Sequence, residues 1–169
     1  IDNIFKTDKA LDLSGSHKRI LSYLPISHIF ERAASYYYQY LGYQVYFAES
    51  IELLGDNIRE IKPHFLAVVP RLLEKIFDKI IAKGSTLSGI KKSLFFWAIS
   101  LGEAYEPYGE NGKLYALKLK IARKLIFSKW QEALGGHLEF MLSGSAPMQD
   151  RLIRIFLAAG IPVFEGYGM

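Results

Sequence analysis

The chain has 169 residues and no cysteine. That absence excludes disulfides and thiolate metal sites, and it fits a cytoplasmic protein. No apolar run approaches the roughly 18 residues of a membrane span, and the first residues do not read as a signal peptide. Proline is scarce, and Pro25, Pro63, Pro70, Pro107 and Pro147 stand where one segment stops or the next begins. Acidic residues are missing throughout Lys113 to Trp130. What is present is a composition that is 50% hydrophobic and 22% charged, enough to bury a core and unlike a disordered tail. The length suits one domain or a large piece of one. A net charge of +4 suits anionic partners or simply ordinary solubility.

Short apolar runs alternate with amphipathic ones along most of the chain. Ile1 to Ser16 mixes charged and apolar residues; Asp12 and Ser14 there could serve phosphate or metal, or form a solvated turn. Arg19 to Leu24 reads as a strand. Ser27 is then a helix N-cap, His28 lies just inside, and Glu31 closes a capping box. Phe30 to Leu41 is the helix, ended by Gly42. Tyr43 to Ala48 is a strand, and Ser50 to Ile61 a helix with Ile51, Leu54, Ile58 and Ile61 on its apolar face. Phe65 to Val69 is the next strand, and Pro70 opens a further helix that stops at Lys83-Gly84-Ser85. This repetition predicts parallel α/β layering with right-handed crossovers. Arg71, at a strand-to-helix turn, could meet a phosphate or a carboxylate, or make a structural salt bridge.

Ser88 to Glu106 reads as a long helix, with Glu103 and Glu106 on one face as solvated charge. In Lys113 to Trp130, Leu114, Leu117, Ile121 and Leu125 form an apolar stripe. Lys113, Lys118, Lys120, Arg123, Lys124 and Lys129 carry the positive charge. Such a basic amphipathic helix either packs inward with a solvated basic face or lies on an anionic membrane. Nucleic acid fits poorly, because no recognition module accompanies the charge.

The end of the chain holds the densest pattern. Leu138 to Leu142 is an apolar run that stops at Ser143-Gly144-Ser145-Ala146-Pro147. Met148 to Ala159 has helical spacing at Leu152, Ile155, Phe156 and Ala159, and Gly160 stands at the C-cap. Ile161 to Phe164 is a second run, ending in Glu165-Gly166-Tyr167-Gly168. Strand, loop, helix, strand, loop is a βαβ unit whose loops share the edge where open parallel sheets bind ligands. Small residues at Gly144, Ser145 and Ala146 would let a flat ligand approach the backbone, and Tyr167 between glycines would offer a purine an aromatic face. Equally, both loops could be tight turns that require glycine. Ser145 is no nucleophile elbow, since glycines would be needed at Ser143 and Pro147. His28 with Glu31 is too small a set for a metal site.

Leu142-Ser143-Gly144-Ser145-Ala146-Pro147-Met148, then Glu165-Gly166-Tyr167-Gly168-Met169, resembles the adenylate-forming (AMP-binding) superfamily. With Leu24-Pro25-Ile26-Ser27-His28-Ile29-Phe30-Glu31-Arg32 upstream, the chain most resembles its long-chain fatty-acid-CoA ligases. The resemblance runs from Arg19 to Met169. It implies a doubly wound, Rossmann-like parallel α/β subdomain within residues 1–169 of a partial AMP-binding N-terminal domain, carrying a helical insertion at 88–130. It also implies a parent enzyme that joins a long-chain fatty acid to ATP and passes the acyl group to CoA, with Mg²⁺ on the phosphates.

By the same resemblance, Gly144, Ser145, Ala146 and Pro147 lie on the adenine side. Glu165, Gly166, Tyr167 and Gly168 meet the acyl-adenylate, with Tyr167 as the ring contact, and His28 borders the acyl or CoA channel. No catalytic set is complete and no metal ligand is assigned. The phosphate loop, the Thr-Glu pair and the C-terminal lysine expected of the family are not in this chain, so the piece alone is expected to be inactive. Two alternatives stand: another acid-activating member of the superfamily, or a non-catalytic α/β module docking on membrane or protein through 113–130. The expected location is the cytoplasm, with or without membrane association.

Overall fold

The computed structural model describes residues 17–144 and 146–166. Asp12 and Ser14 lie outside these. The apolar runs become five short strands: β1 Arg19–Ser22, β2 Gln44–Phe47, β3 Phe65–Val68, β4 Phe140–Ser143 and β5 Val163–Glu165. The amphipathic runs become helices α1 Ile29–Tyr40, α2 Leu54–Ile61, α3 Pro70–Ser85, α4 Gly89–Glu103 and α5 Gly112–Ala122. A π-helical segment, Arg123–Phe127, leads from α5 into α6 Ser128–Ala133, and α7 Asp150–Ala158 follows β4. Pro70 sits in the first turn of α3, where its missing N–H costs no bond. Gly160, at φ +76°, takes the left-handed position just beyond α7.

All strand pairs are parallel, in the order β2-β1-β3-β4-β5. The chain runs outward from β1 to β2, returns past β1 to β3, and continues through β4 to β5. This is the expected doubly wound α/β layering. Strand residues alternate between the two faces. Leu21, Leu66, Val68, Met141 and Val163 pack with α2 to α7 in the main core, where Phe127 and Phe156 are fully buried. Ile20, Phe65 and Phe140 face the other way and are covered by Tyr37 and Tyr38 of α1, with Tyr43. On that face Phe65 stacks on Phe140 at 5.2 Å between ring centroids, and Phe164 meets Phe140 edge-on at 5.6 Å. Such pairs contribute about 0.5–1.5 kcal/mol each beyond area burial.

Three expectations change. The helix read from Ser50 begins at Leu54, because side chains take over the backbone ahead of it. Ser50 Oγ accepts from the Leu53 N–H at 3.2 Å and Asn57 Oδ1 from the Glu49 N–H at 3.1 Å, leaving Ile51 exposed. Glu103 and Glu106 are not merely solvated. Glu103 accepts from Arg151 at 2.8 Å and Glu106 from Arg154, so α7 is tied to the end of α4. The stripe Leu114, Leu117, Ile121 and Leu125 does not pack inward. All four are exposed, and Leu119, Ala122, Phe127 and Trp130 are buried instead.

Candidate functional site

β4 and β5 are adjacent and parallel, so the loops that follow them leave the same edge of the sheet. Two hydrogen bonds join these loops. The Gly166 N–H donates to the Ser143 carbonyl at 2.7 Å, and the Met148 N–H donates to Glu165 Oε1 at 2.7 Å. Glu165 thereby places its carboxylate just ahead of α7, where the helix dipole favours negative charge. The helix read from Met148 begins at Asp150, and Pro147 is exposed in the loop ahead of it. Ala146, Glu165 and Gly166 are exposed as well. Ser145, Tyr167 and Gly168 lie outside the described residues.

The two glycines at this edge differ in what surrounds them. Gly144 is buried, and a Cβ placed on it would come within 2.6 Å of the Phe30 ring. Its small size is therefore taken up by α1, which reaches across to the end of β4. At Gly166 a Cβ would meet only ordinary contacts, 3.6 Å from the Ser143 carbonyl oxygen and 3.8 Å from Leu142 Cδ1. Nothing among the described residues requires glycine there.

The Phe30 contact brings the Leu24–Arg32 segment to the loop after β4. His28 is the N-cap of α1, exposed and making no side-chain cap bond. Glu31 does not complete the expected capping box with Ser27. It turns into the fold, only 1% exposed, where Oε1 accepts from Ser22 Oγ at the end of β1 and Oε2 is buried without a partner among the described residues. Burial raises its pKa, and the Ser22 hydrogen bond offsets part of that rise. Burial, and next the Glu31 charge, push the hydroxyls of Tyr23 and Tyr38 upward too. The Tyr23 and Tyr38 hydroxyls are thereby held neutral. Arg71 is exposed, and no ion pair involves it among the described residues. A surface depression bordered by Ile26, Arg32, Tyr36, Gln39 and Phe47 includes no residue of the β4 or β5 loops.

Sequence reasoning placed the two loops after their strands and His28 at the start of a helix, but missed the contacts that Phe30, Ser22 and the Met148 amide make around them. No local pattern marks those contacts. Each joins positions far apart in the chain.

The chain matches the family described as AMP-binding enzyme over residues 2–169. It belongs to that family. Fatty acyl-CoA synthetase A of Dictyostelium discoideum is 37% identical over 155 residues, covering 88% of this chain and 22% of that protein. The long-chain-fatty-acid–CoA ligase ACSBG2 of Homo sapiens is 31% identical, covering 95% of this chain and 25% of its own length. The chain thus spans about a quarter or less of the curated relatives it matches. Among solved structures, the adenylation domain of a carboxylate reductase from Mycobacterium chelonae aligns at TM-score 0.63 and 21% identity, covering 89% of this chain and 20% of that one. The N-terminal domain of FACL13 from Mycobacterium tuberculosis aligns at TM-score 0.56 and 15% identity, covering 98% and 30%. These two show the shared fold, a parallel α/β domain.

Proposed function

We propose that this chain forms part of the adenylate-binding face of a long-chain fatty-acid-CoA ligase. The observation that carries the reading is the joined pair of loops after β4 and β5, in a chain of the AMP-binding family whose relatives include long-chain ligases. A fatty carboxylate is inert toward a thiol until its oxygen leaves easily. The carboxylate oxygen attacks the α-phosphorus of ATP and the bond to pyrophosphate breaks. The CoA sulfur then attacks the acyl carbonyl, its proton passing to solvent, and AMP leaves with the electron pair.

In this reading Gly144, Ser145, Ala146 and Pro147 border the adenine. Gly166, Tyr167 and Gly168 lie against the adenylate, and Glu165 holds the two loops at fixed spacing through the Met148 amide. Gly166 is exposed, which leaves its backbone accessible to a ligand. His28, exposed at the start of α1, borders the acyl or CoA channel. Mg²⁺ would neutralise phosphate charge. Among the described residues no three His, Asp or Glu side chains converge to hold it, so none is assigned to it.

The test is ATP–pyrophosphate exchange by the full-length protein with long-chain, short-chain, aromatic and amino acids. Exchange driven by long-chain acids and lost in Gly166→Asp and Tyr167→Ala is the expected result. Exchange driven by another acid class would discard the substrate. A folded protein that exchanges with no acid would overturn the ligase reading.

A further inference from the structure

Residues 23–30 leave the end of β1 and return as the first turn of α1. The loop's own bonds are local: the His28 N–H donates to the Pro25 carbonyl at 2.9 Å, and Arg32 Nε to the Ile26 carbonyl at 3.3 Å. His28 supplies no side-chain cap to α1. The two ends of the loop are tied by a side-chain hydrogen bond, from Oγ of Ser22, the last residue of β1, to Glu31 Oε1. Both residues are almost fully buried, at 3% and 1% exposure. Burying a carboxyl is costly, and the second oxygen of Glu31 has no partner among the described residues. An apolar side chain would fill the same space at lower cost, so the pair calls for a reason other than burial. Tyr37 and Tyr38, further along α1, pack on the sheet through apolar contact, which tolerates small shifts. A buried hydrogen bond in a low-dielectric setting does not. It fixes the position of the preceding residue, Phe30, whose ring lies where a Cβ on Gly144 would come within 2.6 Å.

We propose that Ser22 and Glu31 are positioning residues that clamp the neck of the 23–30 loop and so hold Phe30 as the backstop of the loop after β4. Gly144 follows β4 directly and begins that loop. With the ring behind it, its backbone cannot retreat. The surface the loop offers a nucleotide is then set in advance, and binding does not have to organise it. Buried as they are, Ser22 and Glu31 act through Phe30 and not by touching the ligand. The clamp is internal to the chain and needs no exposed surface. The nature of the ligand rests on the ligase reading, whereas the clamp rests on the contacts themselves.

The experiment is ATP–pyrophosphate exchange by the full-length protein, with a long-chain acid saturating and ATP varied. Ser22→Ala should raise KM for ATP about tenfold and change kcat less than about twofold, because a misplaced backstop weakens ground-state and transition-state binding alike. Phe30→Leu should act the same way, and adding it to Ser22→Ala should raise KM no further than the larger single effect. Glu31→Gln keeps an oxygen that accepts from Ser22, and its KM should stay within about threefold of the unsubstituted value. A merely structural role would lower the melting temperature and leave KM where it was. Unchanged KM in Ser22→Ala, a fall in kcat at constant KM, additive effects of Ser22→Ala and Phe30→Leu, or a Glu31→Gln variant as impaired as Ser22→Ala would each overturn the proposal. Hydrogen exchange without ligand keeps the two readings apart. Ser22→Ala should speed exchange at the amides of His28 and Arg32 more than at those of Ile155 and Phe156. In a protein that exchanges pyrophosphate with no acid, that result would keep the clamp and discard the ligase reading. Equal rates at His28 and Arg32 with and without the substitution would overturn the clamp.

Discussion

Glu31 is the residue where local and tertiary demands diverge most. Its position in the first turn of α1 suits a solvated carboxylate, yet the side chain is buried against Ser22 with one oxygen unpartnered among the described residues. Burial raises its pKa above that of the unfolded chain. The folded state therefore binds this proton more tightly, and the resulting stability is fully present below the unfolded pKa of about 4.3. It is lost as pH rises through the folded value. A neutral amide of the same shape has no such loss, and its carbonyl can still accept from Ser22. Glu31→Gln should therefore gain on the parent protein as pH is raised from about 4 to about 8. Melting temperatures of the two full-length proteins across that range measure it. A difference that stays flat with pH would mean Glu31 is not the titrating group.

Among the elements, α7 is held at its start by Glu165 and along its side by Glu103 and Glu106. The outer ion pairs are exposed and contribute about 0–1 kcal/mol each. The Glu165 bond takes up the backbone N–H of buried Met148, and leaving it unmade costs about 1–3 kcal/mol. Glu165→Ala should therefore lower the melting temperature and abolish pyrophosphate exchange by loosening both loops. Glu165→Gln keeps an accepting oxygen and should retain most of each. Equal loss in both variants would assign Glu165 a charge-dependent role toward the ligand instead. The elements themselves were legible because apolar runs and breakers are local features: β4, α7 and β5 lie within a few residues of where their pattern places them. Glu103 and Glu106 were misread because their arginine partners lie 48 residues further along. The stripe at Leu114 was misread for another reason. α5 is apolar on two sides, Leu119 and Ala122 as well as Leu117 and Ile121, and periodicity cannot say which side meets the core. The strand order also escaped local reading, since the return from β2 past β1 to β3 is decided by which faces must be buried.

For the whole molecule, the two faces of the sheet are covered very unequally. α2 to α7 bury one face in a continuous core. Among the described residues the other is covered by α1, through Tyr37 and Tyr38 over Phe65 and Phe140 with Tyr43 beside them, leaving Phe164 44% exposed. Elements with less buried apolar contact open at lower free energy than those within the main core. α1 also carries Phe30 against Gly144 and exposed His28, so the thinner layer is the one that borders the candidate site. Its opening would separate the Leu24–Arg32 segment from the loop after β4 while the loops after β4 and β5 stay joined. Native-state hydrogen exchange on the full-length protein should therefore find the amides of Tyr37 and Tyr38 exchanging at lower free energy than those of Ile155 and Phe156. Adding ATP with a long-chain acid should slow exchange at α1 more than at α7, because a ligand bound across both parts stabilises only the closed arrangement. Equal protection of α1 and α7 without ligand would show that α1 is as firmly held as the core, and that the edge of the sheet is a rigid frame.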